Sequence, residues 1–134
     1  MNKGSTGKIV GFSFGFIIGL SPVVAIRLDQ LTSNSWALTA KLYFMLHAFG
    51  LLGYLATEFA VFFAAGATCA LFMVNDLSFS QVMLTGLLSS IAGQILLSGW
   101  VVLNNPLAPL VTASVASGCS GVGGIVVWLT RRLK

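Results

Sequence analysis

Glu58 and His47 are the one carboxyl and the one imidazole of this 134-residue chain that lie inside apolar sequence. Tyr54 falls between them. Steps of seven and then four residues place His47, Tyr54 and Glu58 within a narrow stripe of one helix, and Cys69 continues it. An ionised carboxylate in apolar surroundings is costly, and an ionisable group inside a membrane span marks an ion pathway, a proton relay or a voltage sensor by default. Two roles are open for Glu58: a pore-lining, proton-binding or voltage-sensitive group, or a carboxyl hydrogen-bonded to Tyr54 or to another helix. His47 stands near a span boundary, where a histidine is more often solvated or capping than a ligand.

The remaining inventory excludes most enzyme chemistry. There is no Ser-His-Asp set, no cluster of His, Cys and carboxylates with metal-ligand spacing, and no Gly-rich phosphate loop. Three acidic residues and one histidine leave general acid-base catalysis almost without material. One histidine also cannot supply both axial ligands of a membrane haem, which leaves open only a subunit that shares a haem with a partner. The reading is a non-enzyme without cofactor or metal. Cys69 and Cys119 each lie in an apolar stretch and read as buried thiols, because a disulfide would need two helices to meet at one specific geometry.

What must position the polar stripe follows from the charges. Only 7% of the residues are charged, against about 25% in a soluble domain, and mean hydropathy is +0.96. Lys3 and Lys8 precede the first apolar stretch, Arg27, Asp29 and Lys41 follow it, Asp76 closes the second, and Arg131, Arg132 and Lys134 finish the chain. Such bases flank spans rather than forming a patch interleaved with aromatics, so the net charge of +4 speaks for membrane topology and not for nucleic acid. The chain reads as an all-α integral membrane protein.

A bilayer core about 30 Å thick takes about 20 residues at about 1.5 Å each, so 134 residues hold about four spans and no separate soluble domain. The expected spans are about 9–26, 51–74, 81–103 and 110–130, with an interfacial helix at about 36–50 that begins at Trp36. Pro22 interrupts regular hydrogen bonding near the end of the first span, and residues 28–40 read as polar connection. Pro106 and Pro109 read as breakers in a tight turn between the third and fourth spans. Lys3, Lys8, Val23 and Ala25 also give the start the layout of a cleavable secretory signal, and retention as a first span is the expectation. Four spans place both termini on one side. Lys3, Lys8, Arg131, Arg132 and Lys134 make that side cytoplasmic by the positive-inside bias.

Small residues supply the packing faces. Gly11, Gly15 and Gly19 recur every four residues, which stacks them on one face and lets another backbone approach closely. Gly86, Ser89, Ser90 and Gly93 share a face of the third span, and Ser114, Ser117, Gly118, Gly121 and Gly124 recur at three- and four-residue steps on the fourth. Three uses are open for these faces: packing within one chain, self-association, or lining a wet interior once copies assemble.

The run MLTGLLSSIAG at 83–93, the proline turn, Ala116-Ser117-Gly118, Gly121-Val122-Gly123-Gly124 and the closing Arg131-Arg132-Leu133-Lys134 resemble the holins of temperate tailed phages, over about residues 59–134. The resemblance implies a multi-pass protein of the bacterial inner membrane that forms homo-oligomers and opens lesions, allowing endolysin action and host cell lysis. Its partners would be the lipid bilayer and further copies of itself. Two other readings remain open: a small membrane-anchor subunit docking partner membrane proteins, and a small proton-coupled transporter using Glu58.

Overall fold

Helix α1 (Lys3–Thr32) carries Pro22 in its interior. Proline has no N–H, so the carbonyl four residues earlier, that of Ile18, loses its helical donor. Ser21 Oγ donates to Ile18 O at 2.7 Å in its place. With that acceptor supplied, the helix continues through Pro22 to Thr32, into the stretch expected to be polar connection. Arg27 and Asp29 therefore belong to a helix and not to a loop. Ser21→Ala is expected to cost about 1 kcal/mol of stability, read from thermal melting followed by circular dichroism in detergent. An unchanged melting temperature would mean that Ile18 O has another donor.

Glycines punctuate the middle of the chain. Gly50 precedes α2 (Leu51–Leu71) at φ 75 and ψ −145, a region open essentially to glycine alone. Helix α3 (Phe79–Ser98) stops at Gly99, whose φ of 68 turns the chain out of the helix while its N–H bonds Ile95 O. Residues 100–103, the rest of the expected third span, lie outside the described residues. Helix α4 (Leu107–Arg132) begins before its expected start at 110 because Pro109 lies in its first turn, where amide hydrogens have no helical acceptor and proline costs nothing. Of the two prolines read as breakers, only Pro106 stands outside the helix.

The computed structural model describes residues 3–32, 50–73, 77–99 and 104–134, all-helical in these segments. Three helical stretches are long and apolar enough to cross a membrane, Gly4–Val24, Phe79–Ser98 and Leu107–Arg132, and α2 adds a shorter apolar one, Leu55–Leu71. These are the features of a multi-pass membrane protein. The interfacial helix expected at 36–50 and His47 lie outside the described residues, Gly50 excepted.

Contacts between glycines and neighbouring helices give the directions. Gly11 lies against Cys69 and Gly15 against Ala65, so α1 and α2 are antiparallel. Gly15 also meets Thr85, and Gly19 meets Ser89, so α1 and α3 run parallel. Gly66 opposes Ser120 and Met73 opposes Arg131, which makes α2 and α4 parallel. Gly86 opposes Ala116 and Val82 opposes Gly124, which makes α3 and α4 antiparallel. Both α2 and α3 pack on α1 and on α4 and touch each other, so α1 and α4 occupy opposite sides of the α2–α3 pair. The beginning of α1, the end of α2, the beginning of α3 and the end of α4 meet at one end of the bundle.

Candidate functional site: small-residue seams and their arginine caps

The interior of the bundle is built from small side chains. Ala65, Cys69, Ala70, Ala113 and Ala116 are buried, and the largest fully buried groups are Met73 and Val82. Lipid tails are as apolar as leucine, so helices in a membrane gain little by hiding apolar side chains from them and associate through close packing instead. Large apolar groups accordingly point outward, Ile17, Leu52, Leu71, Leu107, Leu110 and Val111 among them.

Each small-residue face of the sequence has a specific neighbour. A Cβ on Gly15 would lie 2.7 Å from Ala65 O and 2.8 Å from Thr85 Cγ2, and one on Gly11 would lie 2.5 Å from Cys69 O. Gly19 abuts the Ser89 side chain. The face that holds Gly86, Ser89, Ser90 and Gly93 is divided between two neighbours. Gly86 meets Ala116 and Ser120 of α4, whereas Ser89 and Gly93 meet Gly19 and Val23 of α1. On α4, Ser117, Gly121 and Gly124 are buried, with Gly121 against Met83 and Gly124 against Val82, while Ser114 and Gly118 face outward. A Cβ on Gly118 would meet nothing within 4 Å.

The tightest seam, between α2 and α4, rests on two glycines that the stripes did not single out. A Cβ on Gly66 would lie 2.6 Å from the carbonyl carbon and 2.7 Å from the Cα of Ser120. One on Gly123 would overlap Phe63 O and lie 2.9 Å from Ala67 N. Gly7 extends the α1 stripe by one turn, against Phe72 O. The signal for Gly66 was present in the run Ala64-Ala65-Gly66-Ala67, four small residues in the middle of an apolar helix.

Hydroxyls fill the interior beside these glycines. Thr57, Thr85, Ser89, Ser90, Ser117 and Ser120 are all buried. Most of the bonded ones turn back on their own helix: Thr57 Oγ1 donates to Gly53 O at 2.8 Å, Thr85 Oγ1 to Gln81 O at 2.9 Å and Ser89 Oγ to Thr85 O at 2.7 Å. Bonds across seams are fewer. Ser120 Oγ donates to Val82 O at 2.7 Å, Gln81 Nε2 to Lys8 O at 3.2 Å and Gln94 Nε2 to Pro109 O at 3.5 Å.

Two arginines close the helix ends. The last carbonyls of a helix have no amide partner, and a cation there also meets the negative end of the helix dipole. Arg27 of α1 reaches the end of α3, with Nε 2.8 Å from Leu96 O and Nη2 2.8 Å from Leu97 O. Arg131 of α4 reaches the end of α2, with Nη1 2.5 Å from Met73 O and Nη2 2.7 Å from Leu71 O. The caps sit at opposite ends of the bundle. Arg132, next in sequence, turns instead over its own helix, 4.4 Å from the centre of the Trp128 ring.

Of the polar stripe, Tyr54 lies near the start of α2, and its side chain is outside the described residues. Glu58 is half-buried on α2 and within electrostatic reach of Cys119 on α4. Cys69 is fully buried, its Sγ 3.5 Å from the Thr85 hydroxyl oxygen. No protein-family model, curated protein or solved structure matches this chain.

Proposed function

We propose that the protein is holin-like: four spans in a bacterial inner membrane, both termini cytoplasmic, and self-association that permeabilises the membrane, allowing endolysin action and host lysis. The observation that supports this reading is the inverted polarity of the bundle, with Thr57, Thr85, Ser89, Ser90, Ser117 and Ser120 inside and large apolar side chains outside. A pore needs a hydroxyl-rich wall facing water and an apolar wall facing lipid. This chain carries both, with the first sheltered while the seams are closed. Thr57, Thr85 and Ser89 bond their own helices, so those bonds survive when helices part. Glu58, half-buried on α2, is the group through which a membrane potential would act, since moving one charge across the field is worth about 2.3 kcal/mol per 100 mV.

The test is leakage of dye and ions from vesicles holding only this protein, followed in time and after the membrane potential is collapsed. Abrupt leakage, accelerated by depolarisation, is the expected result. Glu58→Gln is expected to remove the acceleration and leave the leak. A membrane that stays tight at high protein density would overturn the proposal and favour a subunit that docks partner membrane proteins.

A further inference from the structure

The end of the bundle where α1 begins and α4 finishes gathers basic groups that the sequence keeps more than a hundred residues apart. Gly7 of α1 and Arg131 of α4 both contact the 71–73 segment that ends α2, so the two helix ends flank one structure at one level. Lys8 is half-buried there, its carbonyl bonded by Gln81 of α3, while Arg132 and Lys134 are exposed. Among the described residues no carboxylate side chain lies at this end. Asp76, in the connection between α2 and α3, is outside them.

Depth and apolar surroundings say what these bases meet. The 26 residues of α4 would reach about 39 Å, which exceeds a hydrocarbon core of about 30 Å, and the cost of burying Arg131 and Arg132 in hydrocarbon puts the excess at its end, at headgroup depth. Just below them, Ile125, Val126 and Leu129 are exposed as lipid-facing side chains are. Trp128 lies between, a residue that favours the membrane interface, and its ring holds the Arg132 guanidinium 4.4 Å from the ring centre. Arg131 is committed to the carbonyls of Leu71 and Met73, so among the described side chains the cations left to meet lipid are the half-buried Lys8 and the exposed Arg132 and Lys134.

We propose that this end of the bundle docks anionic phospholipid headgroups, with Lys8, Arg132 and Lys134 meeting their phosphates and Trp128 fixing Arg132 at the interface. The preference is for anionic over zwitterionic lipid and concerns the lipids around this end of the bundle, those beside α4 being the ones that Trp128 reports. It requires a membrane-embedded bundle and does not depend on permeabilisation, so a tight membrane in the leakage experiment leaves it standing.

The test uses the full chain carrying Trp36→Phe and Trp100→Phe, which leaves Trp128 as its single tryptophan, reconstituted in phosphatidylcholine vesicles. Quenching of Trp128 is compared between brominated phosphatidylglycerol and brominated phosphatidylcholine. The expected result at low salt is an association constant about fivefold or more in favour of the anionic lipid, the effect of about one well-placed base. It should fall towards unity at about 1 M salt, where the Debye length shrinks to about 3 Å. It should also fall in Lys8→Gln/Arg132→Gln/Lys134→Gln, with circular dichroism checking that the helices remain. Equal quenching by the two lipids at low salt, or a preference that persists in the folded triple variant, would overturn the proposal. If the variant does not fold, the salt titration of the single-tryptophan chain decides it.

Discussion

Gly123→Ala will cost about 3 kcal/mol of stability, whereas Gly118→Ala, on the same helix, will add up to about 1 kcal/mol. The two substitutions place the same methyl group in opposite surroundings. At Gly123 it would strike Phe63 O and the amide nitrogen of Ala67, backbone atoms of α2 that no side-chain rotation can move away. The α2–α4 seam must then widen along its length, and Gly66 beside Ser120 would lose its fit as well. At Gly118 the methyl group enters open space, and the better helix propensity of alanine is the whole effect. Unfolding in mixed detergent micelles, followed by circular dichroism, measures both. Equal effects at the two positions would mean that α2 and α4 do not approach along Gly66 and Gly123.

Removing both arginine caps is the second large effect. Arg131→Gln leaves Met73 O and Leu71 O without their charged donor, and Arg27→Gln does the same for Leu96 O and Leu97 O. A hydrogen bond to a charged group is worth about 1.5–3 kcal/mol, and exposure of both arginines sets each loss near the lower end, at about 1.5 kcal/mol. The caps lie at opposite ends of the bundle and bond different carbonyls, so the double variant is expected to lose about 3 kcal/mol, the sum of the two. Arg132→Gln, with its side chain over Trp128, is expected to change stability by less than about 1 kcal/mol. An Arg131→Gln protein as stable as Arg132→Gln would remove the capping role.

Much of the helical layout was legible because a bilayer tolerates few alternatives. A charge is costly in hydrocarbon, so Lys8, Arg27 and Arg131 had to stand near span ends, and apolar runs between them had to be helices with internally satisfied backbones. The limits of those helices were less legible. Ser21 beside Pro22 and Pro109 at the third position of α4 each remove the disruption that a proline threatens, one through a hydroxyl and the other through its place in the first turn. Gly99 closes α3 by taking a positive φ, and nothing in the apolar sequence before it announced that choice.

The small-residue faces show where single-helix reasoning runs out. Periodicity states which residues share a face, but not which neighbour that face meets. Ser89 and Gly86, three residues apart and grouped together by spacing, belong to different seams, because α3 is wedged between α1 and α4 and each takes part of its surface. Gly118 and Gly121 have the same composition and comparable spacing, yet one faces outward and the other packs on Met83. Their difference is an angle around the α4 axis, set by where α2 and α3 stand.

The sequence by itself determined that this is an all-helical, membrane-type chain with polar and small residues reserved for particular helix faces, since hydropathy and charge placement are properties of each segment alone. Only the tertiary structure decided that Arg131 closes α2 while Arg132 stays outside, that Arg27 holds the end of α3, and that Gly66 and Gly123 form the closest seam. Those assignments depend on helices distant in sequence arriving side by side at a given level and rotation. In a bundle packed backbone to backbone, a turn of a few tens of degrees about one helix axis exchanges a buried glycine for an exposed one.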